Sequence, residues 1–337
     1  MTVNVKIVQN QTFFNTALYR EHVTTLPEVL LLSGFPRWIT RVNLGGLWSG
    51  VLLYFCSYRF NVVVSVSLLP SFAYGMLCRL LIKPNALHVC KEFYLEQDSQ
   101  NVTLRKKIRL MLLRFSLKKV DAVILNASAE SKYYGKILAL PDNCFRFIAW
   151  PSNIYVPEIF ETDEGYFLAV GKSLRDWQTF FKAVENTPCS YIVIASIEDA
   201  KSFHPLDNVI VMTNVSRKEY LNILRNAKGV ILPLKSTIRS TGQASFLEAM
   251  AYGKPVIASD VVGVRDYLRH EENALLCQPE DEIALRECII RIIDDSNLCK
   301  KIALNGYKCI CEKFNKERYA EDMLEVITDM LKKRIEI

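Results

Sequence analysis

"KGVILPLKSTIRSTGQASFLEAMAYGKPVIAS", Lys228 to Ser259, is the stretch on which the fold turns. KGVILPL is a short apolar run that reads as a buried strand, and KSTIRSTGQ is a polar loop containing a glycine. ASFLEAMAYG offers Ala244, Phe246, Leu247, Met250 and Ala251 for packing on a helix that stops at Gly253, and KPVIAS is a second strand. Strand, loop, helix and strand in that order make the repeating unit of a parallel sheet covered by helices.

Working outward, the same alternation fills most of the chain. The first half contains NVKIVQN (Asn4 to Asn10), EVLLLSG (Glu28 to Gly34), NVVVSVS (Asn61 to Ser67), ALHVCKEF (Ala86 to Phe93), DAVILNA (Asp121 to Ala127) and CFRFIAWP (Cys144 to Pro151). The second half contains YFLAVGKS (Tyr166 to Ser173), YIVIAS (Tyr191 to Ser196), NVIVMTNV (Asn208 to Val215), the two strands already quoted, and ALLCQP (Ala274 to Pro279). These runs are expected to be strands separated by helices, giving two doubly wound α/β domains of Rossmann type. The periodicity breaks in WPSNIYVPEIFETDEG, Trp150 to Gly165, so the domains are expected at 1–155 and 156–315, followed by a helical segment, 316–337. Ligands of open α/β sheets bind beyond the carboxyl ends of the strands, so the site is expected in a cleft across which the two domains face.

With 337 residues, half of them hydrophobic, the chain has enough material for two cores. Val62 to Ile82 is its longest apolar region, but Ser65, Ser67, Pro70, Ser71 and Arg79 interrupt it, and a strand, a turn at Pro70 and a helix are expected there instead of a membrane span. No basic region followed by an apolar stretch and a cleavage site opens the sequence, and ten scattered cysteines fit a reducing compartment, so a cytoplasmic location is expected. The four histidines are far apart, and no metal site or cofactor is expected. Residues 1–155 hold 18 Lys and Arg against 8 Asp and Glu, whereas residues 156–337 hold 24 against 28. The basic half is suited to an anionic partner.

The loop before ASFLEAMAYG has chemistry of its own. A helix amino end at Ser240 to Ala244 presents backbone N–H groups, Gly242 lets a ligand approach the main chain, and Lys235 and Arg239 add positive charge. A phosphate or diphosphate fits that combination. Glu248 lies among apolar and small residues of the helix and needs a polar partner, which the paired hydroxyls of a ribose or a salt bridge within the domain would supply.

The run from Ser240 to Leu285, and above all EAMAYGKPVIAS from Glu248 to Ser259, resembles the donor-binding segment of retaining GT-B glycosyltransferases, in particular glycosyltransferase family 4, the glycosyl transferases group 1. The resemblance extends over Tyr166 to Asp295. It implies that Glu248 holds the donor ribose and that Gly242 and Gln243, with Arg239, Ser240 and Thr241, line the diphosphate and sugar. Upstream, Gly171 and Lys172 stand where the family has a Gly-Arg pair, Arg175 is the nearest substitute for a later lysine, and Asn214 and Val215 approach the nucleotide base. Ser240 occupies the place of the first glutamate of the family's pair, and the resemblance implies that the terminal segment 316–337 crosses back to the first domain.

In the first domain, the resemblance puts a catalytic or acceptor-orienting residue near HVCKEFYLE, with Glu92 preferred and His88 and Lys91 beside it. A competing reading buries His88 and pairs Glu92 with Lys91. Asn126 and Ser128 follow the next strand as further acceptor-side candidates. LRKKIRLMLLRFSLKKV, Leu104 to Val120, has seven cations and no acid. Its apolar residues fall on two arcs, Leu104, Ile108, Met111, Leu112 and Phe115 on one and Leu110, Leu113 and Leu117 on the other, so one membrane-binding stripe competes with a helix packed on the sheet. Peripheral contact with the cytoplasmic membrane face fits the basic domain, and nucleic acid does not, because no known binding module is present.

The expectation is a retaining transferase that moves a sugar from a UDP or GDP sugar to a saccharide or lipid-linked hydroxyl in polysaccharide or glycolipid assembly, with Glu92, Lys172 and Glu248 as its catalytic set. The alternatives are a catalytically disarmed partner subunit, a nucleotide-sugar epimerase and an inverting transferase of the same fold.

Overall fold

The computed structural model describes residues 5–11, 16–32, 46–92, 95, 103–161, 163–204 and 206–336. The chain forms two compact units, one of Met1–Ile148 with Tyr319–Ile337 and the other of Ala149–Arg318.

In the first unit the elements run β1 (Ile7–Gln9), α1 (Ala17–His22), β2 (Val23–Thr25), α2 (Leu26–Leu32), α3 (Leu47–Cys56), β3 (Val62–Val66), α4 (Leu68–Leu80), β4 (Leu87–Lys91), α5 (Leu104–Leu117), β5 (Ala122–Leu125), α6 (Glu130–Leu138) and β6 (Phe145–Phe147). All six strands are parallel, in the order β2-β1-β3-β4-β5-β6. β3, β4 and β5 are buried along their whole lengths, as strands covered on both faces must be.

In the second unit the elements are β7 (Tyr166–Val170), α7 (Trp177–Val184), β8 (Ser190–Ile194), α8 (Ile197–Ala200), β9 (Val209–Met212), α9 (Arg217–Asn226), β10 (Gly229–Leu232), α10 (Gln243–Ala251), β11 (Val256–Ser259), β12 (Leu275–Cys277), α11 (Glu282–Asp294) and α12 (Ser296–Glu312). α13 (Lys316–Ile335) begins here and continues into the first unit. The order β12-β11-β10-β7-β8-β9 is again wholly parallel. The chain starts at β7, winds out through β8 to β9, and then returns to the other side of β7 with β10. Strand order therefore reverses between β7 and β10, and their carboxyl ends flank a topological switch point. Two apolar clusters sandwich this sheet. Phe246, Leu247, Met250 and Tyr267 belong to one, and Phe180, Tyr191, Ile231 and Ile289 to the other.

Two local expectations are corrected. The run expected as a strand from Glu28 to Gly34 is helical as far as Leu32, and its last two residues lie outside the described ones. The edge strand is β2, just before it. The Glu28 carboxylate accepts hydrogen bonds from the Thr25 backbone N–H and hydroxyl, both at 2.6 Å, which is half of a capping box and starts a helix at Leu26. Pro27 adds the fixed φ that a first helical turn tolerates. Pro70 likewise stands inside the first turn of α4 and not in a turn before it. Its missing N–H has no intrahelical acceptor to lose there.

Candidate functional site

The loops that leave β7 and β10 are joined by backbone hydrogen bonds. Lys235 N–H donates to Leu174 O at 3.0 Å and Asp176 N–H to Pro233 O at 2.8 Å. Gly171 follows β7 with φ +147°, and a Cβ there would lie 2.2 Å from Arg175 Nε. Glycine is required because the Arg175 side chain folds back under the loop. Arg175 donates from Nε to Val170 O at 2.8 Å and from Nη1 to Ser173 O at 2.9 Å, and burial pulls its pKa down to about 10. Arg175 thus holds the loop from beneath, while Lys172 is exposed above it.

On the β10 side, Thr237 Oγ1 accepts from Arg239 N–H at 3.1 Å, and Ser240 and Thr241 are buried. Gly242 has φ +84° and caps α10 at its amino end. Gln243 donates to Gly263 O at 3.1 Å, which fixes the first residue of the helix to the segment after β11. The amino end of a nine-residue helix therefore closes the β10 loop, which carries Lys235 and is bonded to the β7 loop that carries Lys172, and a helix amino end with cations on its adjoining loops favours an anion.

Glu248, in the second turn of α10, is only 2% exposed. Its carboxylate accepts a bidentate pair from Arg217, Nη1 to Oε2 at 2.8 Å and Nη2 to Oε1 at 2.9 Å, and a third bond from Asn153 Nδ2 at 2.9 Å. The salt bridge within the domain is thus the arrangement observed. Arg217 is the first residue of α9, which Ser216 caps by accepting from Glu219 N–H. Asn214, with φ +53°, and Val215 immediately precede that cap, so α9 brings the β9 loop and Glu248 together. Burial first, then the Glu248 charge, pushes the Tyr220 hydroxyl well above its ordinary range. Lys316 Nζ lies 2.9 Å above the Tyr155 ring, and burial lowers its pKa to about 8.

The first unit places its candidates differently from one another. His88 sits mid-strand, 2% exposed, with Nε2 2.8 Å from Ser65 Oγ and its ring 4.5 Å from that of Tyr74. Burial, helped by the Lys83 charge, lowers its pKa to about 3, so it is a neutral core residue away from the strand end. Lys91 closes β4, donates to the Tyr319 hydroxyl of α13 at 3.3 Å, and is lowered to about 8 by burial. Glu92 follows with φ +53°, and its Oε1 is buried without a hydrogen bond among the described residues. Burial raises its pKa to about 7 against the opposing pull of Lys91. Asn126 is buried after β5 and Ser128 is exposed. The run after β1 lies largely outside the described residues.

Residues 196–309 match the family model described as glycosyl transferases group 1. That segment is similar to the group 1 glycosyl transferases. Among curated relatives, an uncharacterized glycosyltransferase of Methanocaldococcus jannaschii is 27% identical over 143 residues, 40% of this chain and 40% of its own. The capsular polysaccharide biosynthesis glycosyltransferase CapM of Staphylococcus aureus is 27% identical over 149 residues, 42% of this chain and 38% of CapM. The matches thus span about two fifths of those relatives. Over nearly the whole chain the fold is that of solved GT-B structures. Sucrose-phosphate synthase from Thermosynechococcus elongatus superposes with a TM-score of 0.69 at 19% identity, covering 98% of this chain and 100% of that one. Anabaena HepE in complex with UDP gives 0.66 at 12% identity, covering 97% and 100%.

Arg217, Asn153 and Tyr319 were missed by reading the sequence. Arg217 had a local signal, standing directly after the N-cap serine of a helix that follows a strand end. The partners of Asn153 and Tyr319 lie 95 and 228 residues away, and no spacing rule reaches that far.

Proposed function

We propose that the chain transfers a glycosyl group from a nucleoside diphosphate sugar to a hydroxyl of a saccharide or lipid-linked acceptor, with retention of anomeric configuration. The observation that carries the proposal is Glu248, a carboxylate buried two turns into the helix that opens at the switch point, within the segment similar to the group 1 glycosyl transferases. The solved complexes of HepE with UDP and with UDP-glucose support a uridine donor. CapM supports a setting in polysaccharide assembly.

In this reading Glu248 accepts hydrogen bonds from the ribose hydroxyls, with Arg217 and Asn153 holding the carboxylate in place. The bond between the sugar C1 and the diphosphate oxygen breaks as the acceptor oxygen bonds to C1 on the same face, and the acceptor proton passes to the departing phosphate. Negative charge grows on that phosphate, and Lys172 with the amino end of α10 provides the counter-charge. Glu92 is the acceptor-side group, because a carboxyl raised to about 7 can hold or release a proton near neutrality.

Thermal stabilisation by UDP, GDP, ADP and their sugar conjugates tests the donor site, since a ligand of the native state raises its apparent stability. One base should stabilise the protein selectively, and Glu248→Ala should abolish the effect. With that donor, Lys172→Ala should slow transfer about a hundredfold. The anomeric configuration of the product, read by NMR, decides retention. A flat response to every nucleotide would sink the proposal. Ser240, at the place of the resembled glutamate, favours a second reading in which the chain binds a nucleotide but only supports a partner transferase. Product formed by the purified chain alone removes that reading.

A further inference from the structure

α5 is not packed as a helix with only its basic stems outward. Leu113 and Leu117, on one arc of its apolar residues, are buried against the fold. The other arc is exposed, with Leu104 at 75%, Met111 at 60% and Ile108, Leu112 and Phe115 also open to solvent. Arg105, Lys107, Arg109 and Arg114 flank this arc on the same helix, and Lys118 and Lys119 follow it.

The surface continues onto α4. The Arg79 guanidinium lies 4.9 Å from the centre of the Phe115 ring, and Lys83 Nζ reaches Lys119 O at 3.2 Å. These two contacts bring the carboxyl end of α4 alongside that of α5. Leu80, Leu81 and Ile82 are exposed there, Ile82 at 80%. The hydroxyl of Tyr58, itself exposed, donates to Ile82 O at 3.2 Å, which adds an aromatic edge from the turn after α3. No aspartate or glutamate occurs in the sequence between Glu28 and Glu92, nor between Asp98 and Asp121. α3, α4 and α5 therefore contain no carboxylate side chain, and Asp121, just after α5, is ion-paired with Lys83 at 3.3 Å.

From this juxtaposition we infer that the α4–α5 face docks on an anionic lipid surface, with Leu104, Ile108, Met111 and Phe115 entering the headgroup region. Exposed apolar side chains at helical spacing, flanked by cations and free of acids, suit the plane of an anionic bilayer. A protein partner of ordinary composition would meet a large single-signed field, whereas a sheet of anionic headgroups complements it throughout. No described helix is long and apolar enough to cross a membrane, so the contact is peripheral. The inference is independent of the donor site, which lies in the other unit.

The test is flotation of the full chain with vesicles of phosphatidylcholine alone or mixed with phosphatidylglycerol. The exposed side chains permit two variants that leave the core intact, Ile108→Ser with Met111→Ser, and Arg105→Gln with Lys107→Gln and Arg109→Gln. Unchanged thermal unfolding checks that both variants fold. The chain should float with the anionic vesicles and not with the neutral ones, and release as salt screens the headgroups. Removing three cations should weaken binding about a hundredfold. The apolar variant should also lose binding. Equal binding to both vesicle types, or binding that neither variant weakens, overturns the inference. So does self-association without lipid that the Ile108/Met111 variant abolishes, since a second copy would then be the occupant.

Discussion

Glu248 and Arg217 are unequally placed, and the inequality has an energetic sign. The carboxylate side chain is 3% exposed and the guanidinium 51%, so only one of the two needs the other to replace water. Arg217→Ala should cost about 1–3 kcal/mol in urea unfolding, because it leaves a buried anion short of donors. In a Glu248→Gln background the same substitution should cost much less, and the double-mutant cycle measures the difference. Glu92 gives a pH dependence. The unfolded chain loses this proton near 4.5 and the folded chain near 7, so Glu92 removes stability as pH rises through that window. His88 acts in the opposite direction, since its lowered pKa costs stability as pH falls from about 6.5 towards 3. Stability of the parent chain minus that of Glu92→Gln should therefore fall by about 2–3 kcal/mol between pH 4.5 and 7, with the His88 contribution cancelling. At this scale the sequence made Glu248 legible, because a carboxylate among apolar helix neighbours must be paired. It did not identify the partner, which the tertiary path of α9 decides.

Elements repeat the lesson with local signals. The strand–loop–helix–strand unit around α10 was readable because period, loop composition and stop residue all agree. α2 was misread because a short leucine run fits a buried strand or a helix equally well, and the arbiter was the Thr25–Glu28 capping pair. Glu28→Ala should cost about 1 kcal/mol of stability through loss of that cap, measurable by chemical unfolding. The β7 loop predicts a larger effect. Gly171→Ala puts a methyl group against Arg175 Nε at a left-handed φ, so the guanidinium must leave Val170 O and Ser173 O. A loss of about 2 kcal/mol is expected, with a Tm lowered by several degrees and weaker nucleotide stabilisation, since Lys172 rides on the same loop. Nucleotide binding unchanged in Gly171→Ala would separate the loop from the donor.

For the whole molecule, α13 is the element that matters most. From Tyr319 onward it belongs to the first unit, where Tyr319, Met323, Ile327 and Leu331 are buried and Arg334 donates to Asn85 Oδ1 at 2.7 Å. Ending the chain at Arg318 should remove several kcal/mol from that unit, at roughly 1.5–3 kcal/mol for each buried side chain. Limited proteolysis should then cut the first unit rapidly and spare residues 149–318. Equal resistance of both units would show that the helix contributes little. Two sheets and their helices could be anticipated from alternating patterns, but the closing of one unit by a segment read after the other could not be derived from periodicity, which says nothing about where a helix docks.

That closure also sets an order of events during synthesis. Translation at about 5–20 residues per second places on the order of ten to thirty seconds between Ile148 and Tyr319 leaving the ribosome. Throughout that interval the first 148 residues of the earlier unit are translated while its last segment is not, and the side chains that α13 will cover face the cell's chaperones. For this chain the usual sequence, in which an amino-terminal domain folds first and waits for the next, is inverted: the later unit can complete itself while the earlier one is still missing a wall.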